Sequence, residues 1–286
     1  MIDALTAPLG YDFFVRALVA SALTGLVCAV VGSYVVLKGL AFIGDAISHA
    51  AFPGIVAALL LKGSFYLGAG VAAVATALAI GWVSRHSRLR VDTAIGVVFA
   101  GTFALGVFLF SSIRHFVVDP LSFFFGNVLA IGPDDLIGLL VLGGIVLALV
   151  AVFWKELLYA TFDPLGAAAS GLPVARLEYL VLALVALTIV VSVQAVGIIL
   201  VVAMLVTPAA TAQLVSVRYT RLMATAIAVG VGSAIAGLYA SYWLDVASGA
   251  TIVLIQTGLF LAALLFGRSG PFGTRRAPAS SAVRPA

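Results

Sequence analysis

The stretch GLAFIGDAISHAAFPGIVAALLL, residues 39–61, is apolar apart from Asp45, Ser48 and His49. A helix of about 20 such residues crosses some 30 Å of hydrocarbon, so the stretch reads as a membrane span and sets the fold class as all-α. Ionisable groups are costly inside a bilayer and normally face a protein interior or a watery path, which makes the pair near the middle of this stretch a functional candidate. Residues four apart share one helical face, so the Asp45 carboxylate and the His49 imidazole converge. Pro53, four residues further on, cannot donate the backbone hydrogen bond that the carbonyl of His49 would otherwise accept. Carboxylate oxygen, imidazole nitrogen and backbone carbonyl together are a ligand set suited to a divalent metal. Ser48 lies off the shared face and is expected to bond a backbone carbonyl of its own helix.

The rest of the chain has the same character. Of its 286 residues 64% are hydrophobic and only 9% charged, with mean hydropathy +1.26, whereas soluble domains carry roughly a quarter charged residues. No segment between the apolar runs is long enough for a separate soluble domain. Residues 1–12, MIDALTAPLGYD, hold two Asp and no Lys or Arg; a secretory signal begins basic, so these residues are expected to be an extracytoplasmic amino terminus. The single cysteine, Cys28, excludes an internal disulfide and a thiolate metal cluster, and reads as a small apolar residue in a helix. A formal charge of +4 raises nucleic acid as a partner. The Lys and Arg residues gather in short runs beside apolar segments, so topology explains them better and no nucleic-acid partner is expected.

Nine spans are expected, at about 13–37, 39–61, 65–84, 94–111, 136–154, 177–193, 196–215, 222–244 and 251–266. Arg16 snorkels from the first, and a break at Gln194 to Gly197 separates the sixth from the seventh. The basic runs RHSRLR (85–90) and VRYTR (217–221), the loop at 155–176 and the tail at 268–286 then all fall on one side, which the positive-inside rule makes cytoplasmic. The membrane domain covers 13–267, and the basic tail RSGPFGTRRAPASSAVRPA is expected to be disordered. The aromatic connection after the fourth span, with His115 and Asp119, is expected to fold back into the interface. An eight-span arrangement with one segment re-entrant stays open. Gln194 and Gln256 are expected at span ends, and His86 at the cytoplasmic surface.

Pro208, in VVAMLVTPAATAQ, interrupts a second span as Pro53 does the first, and paired broken spans mark the substrate path of many transporters. Thr207, Pro208 and Pro53 are therefore candidate path or hinge residues. In the loop at 155–176, Asp163 suits an N-cap, Pro164 the first helical position and Gly171 a left-handed stop, which predicts a two-turn helix over 165–170. So short a helix is unstable alone and suits docking by another protein. No G-x-x-x-x-G-K-[ST] phosphate loop occurs, so any ATPase that drives the chain is a separate subunit.

Five segments together resemble the ABC-type zinc/manganese/iron permeases: GLAFIGDAISHAAFPG, DTAIGVVFAGTFALG (92–106), DPLSFFFGNVL (119–129), FDPLGAAASGLP (162–173) and AVGIILVVAMLVTPAATAQ (195–213). The resemblance implies a homodimeric permease in the bacterial inner membrane, two cytoplasmic ATPase subunits and an extracytoplasmic metal-binding protein. It implies no permanent cofactor: zinc, manganese or iron is the cargo, and ATP binds only in the partner subunit. It places Asp45 and His49 on the metal pathway, and Asp163, Pro164, Leu165, Gly166 and Gly171 at the ATPase-coupling helix. Several family members carry a carboxylate directly after the coupling aspartate, where Pro164, Leu165 and Gly166 stand here. The chain is thus expected to be no enzyme itself. A secondary transporter or channel independent of ATP is the alternative, and a membrane metalloenzyme the third reading, although no H-E-x-x-H occurs to supply its ligands.

Overall fold

The computed structural model describes residues 7–112, 128 and 131–267, and among them every regular element is a helix. A 3₁₀ turn at Ala7–Gly10 precedes α1 (Asp12–Leu37), α2 (Ile43–Leu60), α3 (Phe65–His86) and α4 (Val91–Ser111). Then come α5 (Pro133–Val152), two short helices α6 (Trp154–Phe162) and α7 (Pro164–Ala169), and α8 (Val174–Val196). The chain closes with α9 (Ile198–Val215), α10 (Tyr219–Leu244) and α11 (Ser248–Phe266). Nine of these helices are long and apolar enough to cross a membrane, in line with the nine-span expectation.

Span ends differ from expectation by a few residues, because polar residues that cap or flank a span still belong to its helix. Pro133 opens α5, with Asp135 reaching back to the backbone N–H of Gly132. Pro is suited to a first turn, whose N–H groups have no intrahelical acceptor. The break between α8 and α9 falls at Gly197, whose φ of +82° a side chain would strain. The side chain of Gln194 lies outside the described residues, as do His115 and Asp119 in the connection after α4, and the tail.

Helix α1 is the axis of the bundle: α9, α10, α8 and α5 all pack on it, and most of its length is buried. On one side α11 covers α9 and α10; on the other α2 is clasped by α3 and α4, with α8 against α3. Without a hydrophobic force between helices in lipid, close approach over small residues holds such pairs. At the crossing of α1 and α10 a Cβ on Gly25 would stand 2.8 Å from the carbonyl oxygen of Gly230, and the reverse holds for Gly230. Cys28 is buried at the contact of α1 with α8, its Sγ 3.8 Å from Ser192 Oγ.

Alternating spans place Lys38, Arg85, Arg88, Arg90, Lys155, Arg176, Arg218 and Arg221 at one end of the bundle. Of the Lys and Arg among the described residues, the other end carries only Arg16 and Lys62, while acidic residues stand at both ends. By the positive-inside rule the first end is the one expected in the cytoplasm. His86 sits there, exposed, its ring stacked on Trp82 at 5.0 Å.

Candidate metal pathway and coupling surface

The turn that delivers Asp45 is built by α1. Leu37 ends that helix, Gly39 takes φ +68°, and the N–H groups of Gly39 and Leu40 bond the carbonyls of Val36 and Val35 at 3.1 and 2.9 Å. This paired closure caps the helix and turns the chain sharply. Helix α2 then starts only at Ile43, which corrects the expectation of a mid-span carboxylate: Asp45 lies in the first turn, and His49 one turn deeper. The apolar run misled because its first four residues, 39–42, form the turn. No side chain caps α2, so its N-terminal N–H groups favour a negative charge where Asp45 stands.

His49 Nδ1 lies 3.0 Å from the backbone carbonyl of Asp45 and 3.4 Å from its Oδ1. A carbonyl oxygen can only accept, so Nδ1 carries the proton and donates, and in the neutral ring the lone pair is on Nε2. The Asp45 side chain is 50% exposed and that of His49 21%. The His49 ring is held edge-on by Phe99 and Phe103 of α4, with centroids at 5.6 and 5.9 Å. Gly106 continues that face, and a Cβ there would stand 3.0 Å from Pro53 Cδ, so α4 packs along the proline-bearing side of α2. Phe99 and Phe103 escaped the sequence reading; an aromatic pair at four-residue spacing inside the segment 92–106 was their only signal.

Ser48 is buried and donates to the carbonyl of Gly44 at 2.7 Å, as expected. Pro208 is buried within α9, which runs through it. That helix meets α2 through Leu205, whose Cδ2 would be 2.9 Å from a Cβ on Gly44. Thr207, two residues on, lies about 200° round the helix from that contact; its carbonyl accepts from Thr211 Oγ1 at 2.7 Å. Gln256 is not at a span end: it is fully buried, and neither amide atom has a hydrogen-bond partner among the described residues. Among the described residues no cluster of three or more His, Cys, Asp or Glu side chains could hold a metal.

The second feature lies at the end of the bundle that carries most of the Lys and Arg residues. Asp163 Oδ1 accepts from the N–H of Gly166 at 2.8 Å, Pro164 occupies the first turn of α7, and Gly171 has φ +83°. The N–H groups of Gly171 and Leu172 bond the carbonyls of Ala168 and Ala167, both at 3.0 Å. Each predicted cap is thus present, with the helix one residue earlier than expected. Leu165 projects from it 83% exposed. The sequence reading missed α6, WKELLYATF, which packs Leu157 and Ala160 inward and leaves Tyr159 and Phe162 outward. The start of α10 links these pieces to α1: the Tyr219 ring packs on Trp154 at 5.3 Å, Phe162 at 5.9 Å and Tyr34 at 5.6 Å.

Among the described residues, nine helices long and apolar enough to cross a membrane, an acid–imidazole pair at a helix start and a capped short helix in a connecting loop mark a polytopic membrane protein. Residues 10–267 match the ABC 3 transport family. The chain is 47% identical over 258 residues to the manganese transport system membrane protein MntC of Halalkalibacterium halodurans, covering 90% of this chain and 88% of that protein. It is 40% identical over 287 residues to the chelated iron transport system membrane protein YfeD of Yersinia pestis, covering 100% and 96%. Among solved structures it resembles PsaBC from Streptococcus pneumoniae in complex with Fab, with TM-score 0.82, 34% identity and 95% and 97% of the two chains covered. The chain belongs to the ABC 3 transport family, and it is a multi-pass membrane protein.

Proposed function

We propose that this chain is the membrane permease subunit of an ATP-driven importer for a divalent transition metal, manganese or ferrous iron above zinc, with Asp45 and His49 on the path. The observation that carries the reading is the half-exposed Asp45 carboxylate at the start of a membrane helix. It stands at the cytoplasmic end of α2 with His49 one turn deeper, so the pair offers a dication a negative oxygen and then a ring nitrogen along one helical face. Two copies about a two-fold axis bring two carboxylates and two imidazoles to one cavity, enough to replace the hydration of a dication. The hard carboxylate suits manganese and ferrous iron, and the imidazole selects against magnesium and calcium. Few ligands per chain keep the ion mobile, since a path must release what it binds. Manganese and iron stand first because the full-length relatives carry those names.

Energy comes from a separate ATPase seated on α7. Exposed Leu165 and Phe162 supply an apolar contact, and the Tyr219 rings join that surface to α1 and so to the turn before Asp45. An extracytoplasmic metal-binding protein delivers the ion from the opposite face. Metal-limited growth of a strain without other uptake routes tests the pathway. Asp45→Asn and His49→Ala, expressed at normal levels, are expected to lower uptake of manganese or iron at least tenfold. Full uptake by both removes these residues from the path, and gradient-driven uptake by the chain alone in liposomes replaces the ATP-driven reading with a secondary transporter.

A further inference from the structure

A cavity of about 190 Å³ opens where the ends of α1, α3 and α8 meet the start of α4, and Ile43, in the first turn of α2, lines it while Asp45 does not. One water needs only about 10–15 Å³ of such space, so this is room for a larger group. Its polar wall holds Lys38, Ser84, Arg85 and Glu178; Leu40 and Leu182 are among its apolar residues. Arg85 Nη2 pairs with Glu178 Oε2 at 3.3 Å, whereas Lys38 has no salt bridge within 4 Å among the described residues. The cavity thus carries one positive charge more than it neutralises, beside a hydroxyl donor. Burial lowers the Lys38 pKa from its usual value, and the nearby Glu178 opposes that fall. An anion seated against the ammonium relieves the same desolvation.

We propose that this cavity binds the phosphate group of an anionic phospholipid of the cytoplasmic leaflet. A dication is excluded by charge, because the cavity's one carboxylate is held by Arg85 and two cations face the space. A free anion leaves the apolar walls without an occupant. A phospholipid satisfies both parts, since the site stands at the span ends, where headgroups lie, and basic pockets between helices on this side suit anionic lipid. Neighbouring Arg88 and Arg90 raise the local concentration of such lipids. Bound there, the lipid braces the turn between Lys38 and Ile43 that positions the first turn of α2.

Native mass spectrometry of the full chain in detergent, titrated with phosphatidylglycerol or phosphatidylcholine, tests the assignment. The wild type is expected to prefer phosphatidylglycerol. Lys38→Ala is expected to weaken that preference about fivefold, the effect of one basic residue near a lipid surface, while Lys38→Arg keeps it. The unfolding temperature is expected to rise with phosphatidylglycerol in the wild type and Lys38→Arg but not in Lys38→Ala. Equal phosphatidylglycerol preference in wild type and Lys38→Ala overturns the site. Displacement of the lipid by inorganic phosphate or glycerol 3-phosphate at equal concentration overturns the lipid as occupant.

Discussion

At the residue scale, the two polar groups that matter most differ in what surrounds them. Asp45 and His49 announce themselves because a carboxylate and an imidazole four residues apart share a face in any helix. Their spacing was therefore readable from the chain, while the aromatic walls of Phe99 and Phe103 belong to another helix and were not. Gln256 was misread for the opposite reason. An uncharged amide in an apolar segment looks like an interfacial residue, but packing against neighbouring helices, which no single segment encodes, buries it completely. An unmet buried polar group costs about 1–3 kcal/mol. Gln256→Met, close in volume and without those groups, is expected to raise the unfolding temperature in detergent by several degrees, on the order of 2–4 °C per kcal/mol. A fall on thermal scanning means instead that the amide is satisfied in the membrane.

Elements were legible where local chemistry is self-contained. Helix α7 was read from three residues, Asp163, Pro164 and Gly171, because caps act within a few positions and need no tertiary partner. Helix α6 was not, since WKELLYATF is mixed in polarity and its inward residues, Leu157 and Ala160, gain their meaning only from the helices beneath. The N-cap bond from Gly166 to Asp163 is worth about 1 kcal/mol, a large share of what holds a helix of six residues. Asp163→Ala is expected to leave the nine spans folded and the unfolding temperature of the membrane domain nearly unchanged. ATP-driven metal uptake should fall several-fold, with Asp163→Asn close to wild type because Asn caps as well as Asp. Wild-type uptake by Asp163→Ala shows that the contact with the ATPase needs no preformed α7.

For the whole molecule, the uneven cover of the bundle is the informative feature. α1 is enclosed, whereas α4 turns Val97, Leu105 and Phe108 outward, and Phe42, the N-cap of α2, is 71% exposed three residues before Asp45. Apolar exposure alone is ordinary for helices in lipid. If the chain pairs as proposed, a two-fold contact on this side covers the exposed Asp45 carboxylate, since an isologous interface sets each residue near its own copy around the axis. The native Cys28 is buried, so an added surface thiol can be followed without removing it. Phe42→Cys is expected to form a disulfide-linked dimer in native membranes under mild oxidation, and addition of manganese should change its yield. Leu254→Cys, 70% exposed on α11, should stay monomeric under the same conditions. Efficient cross-linking at Leu254 with none at Phe42 places the dimer contact on α11, leaves Asp45 facing away from the axis, and removes the shared cavity from the transport mechanism.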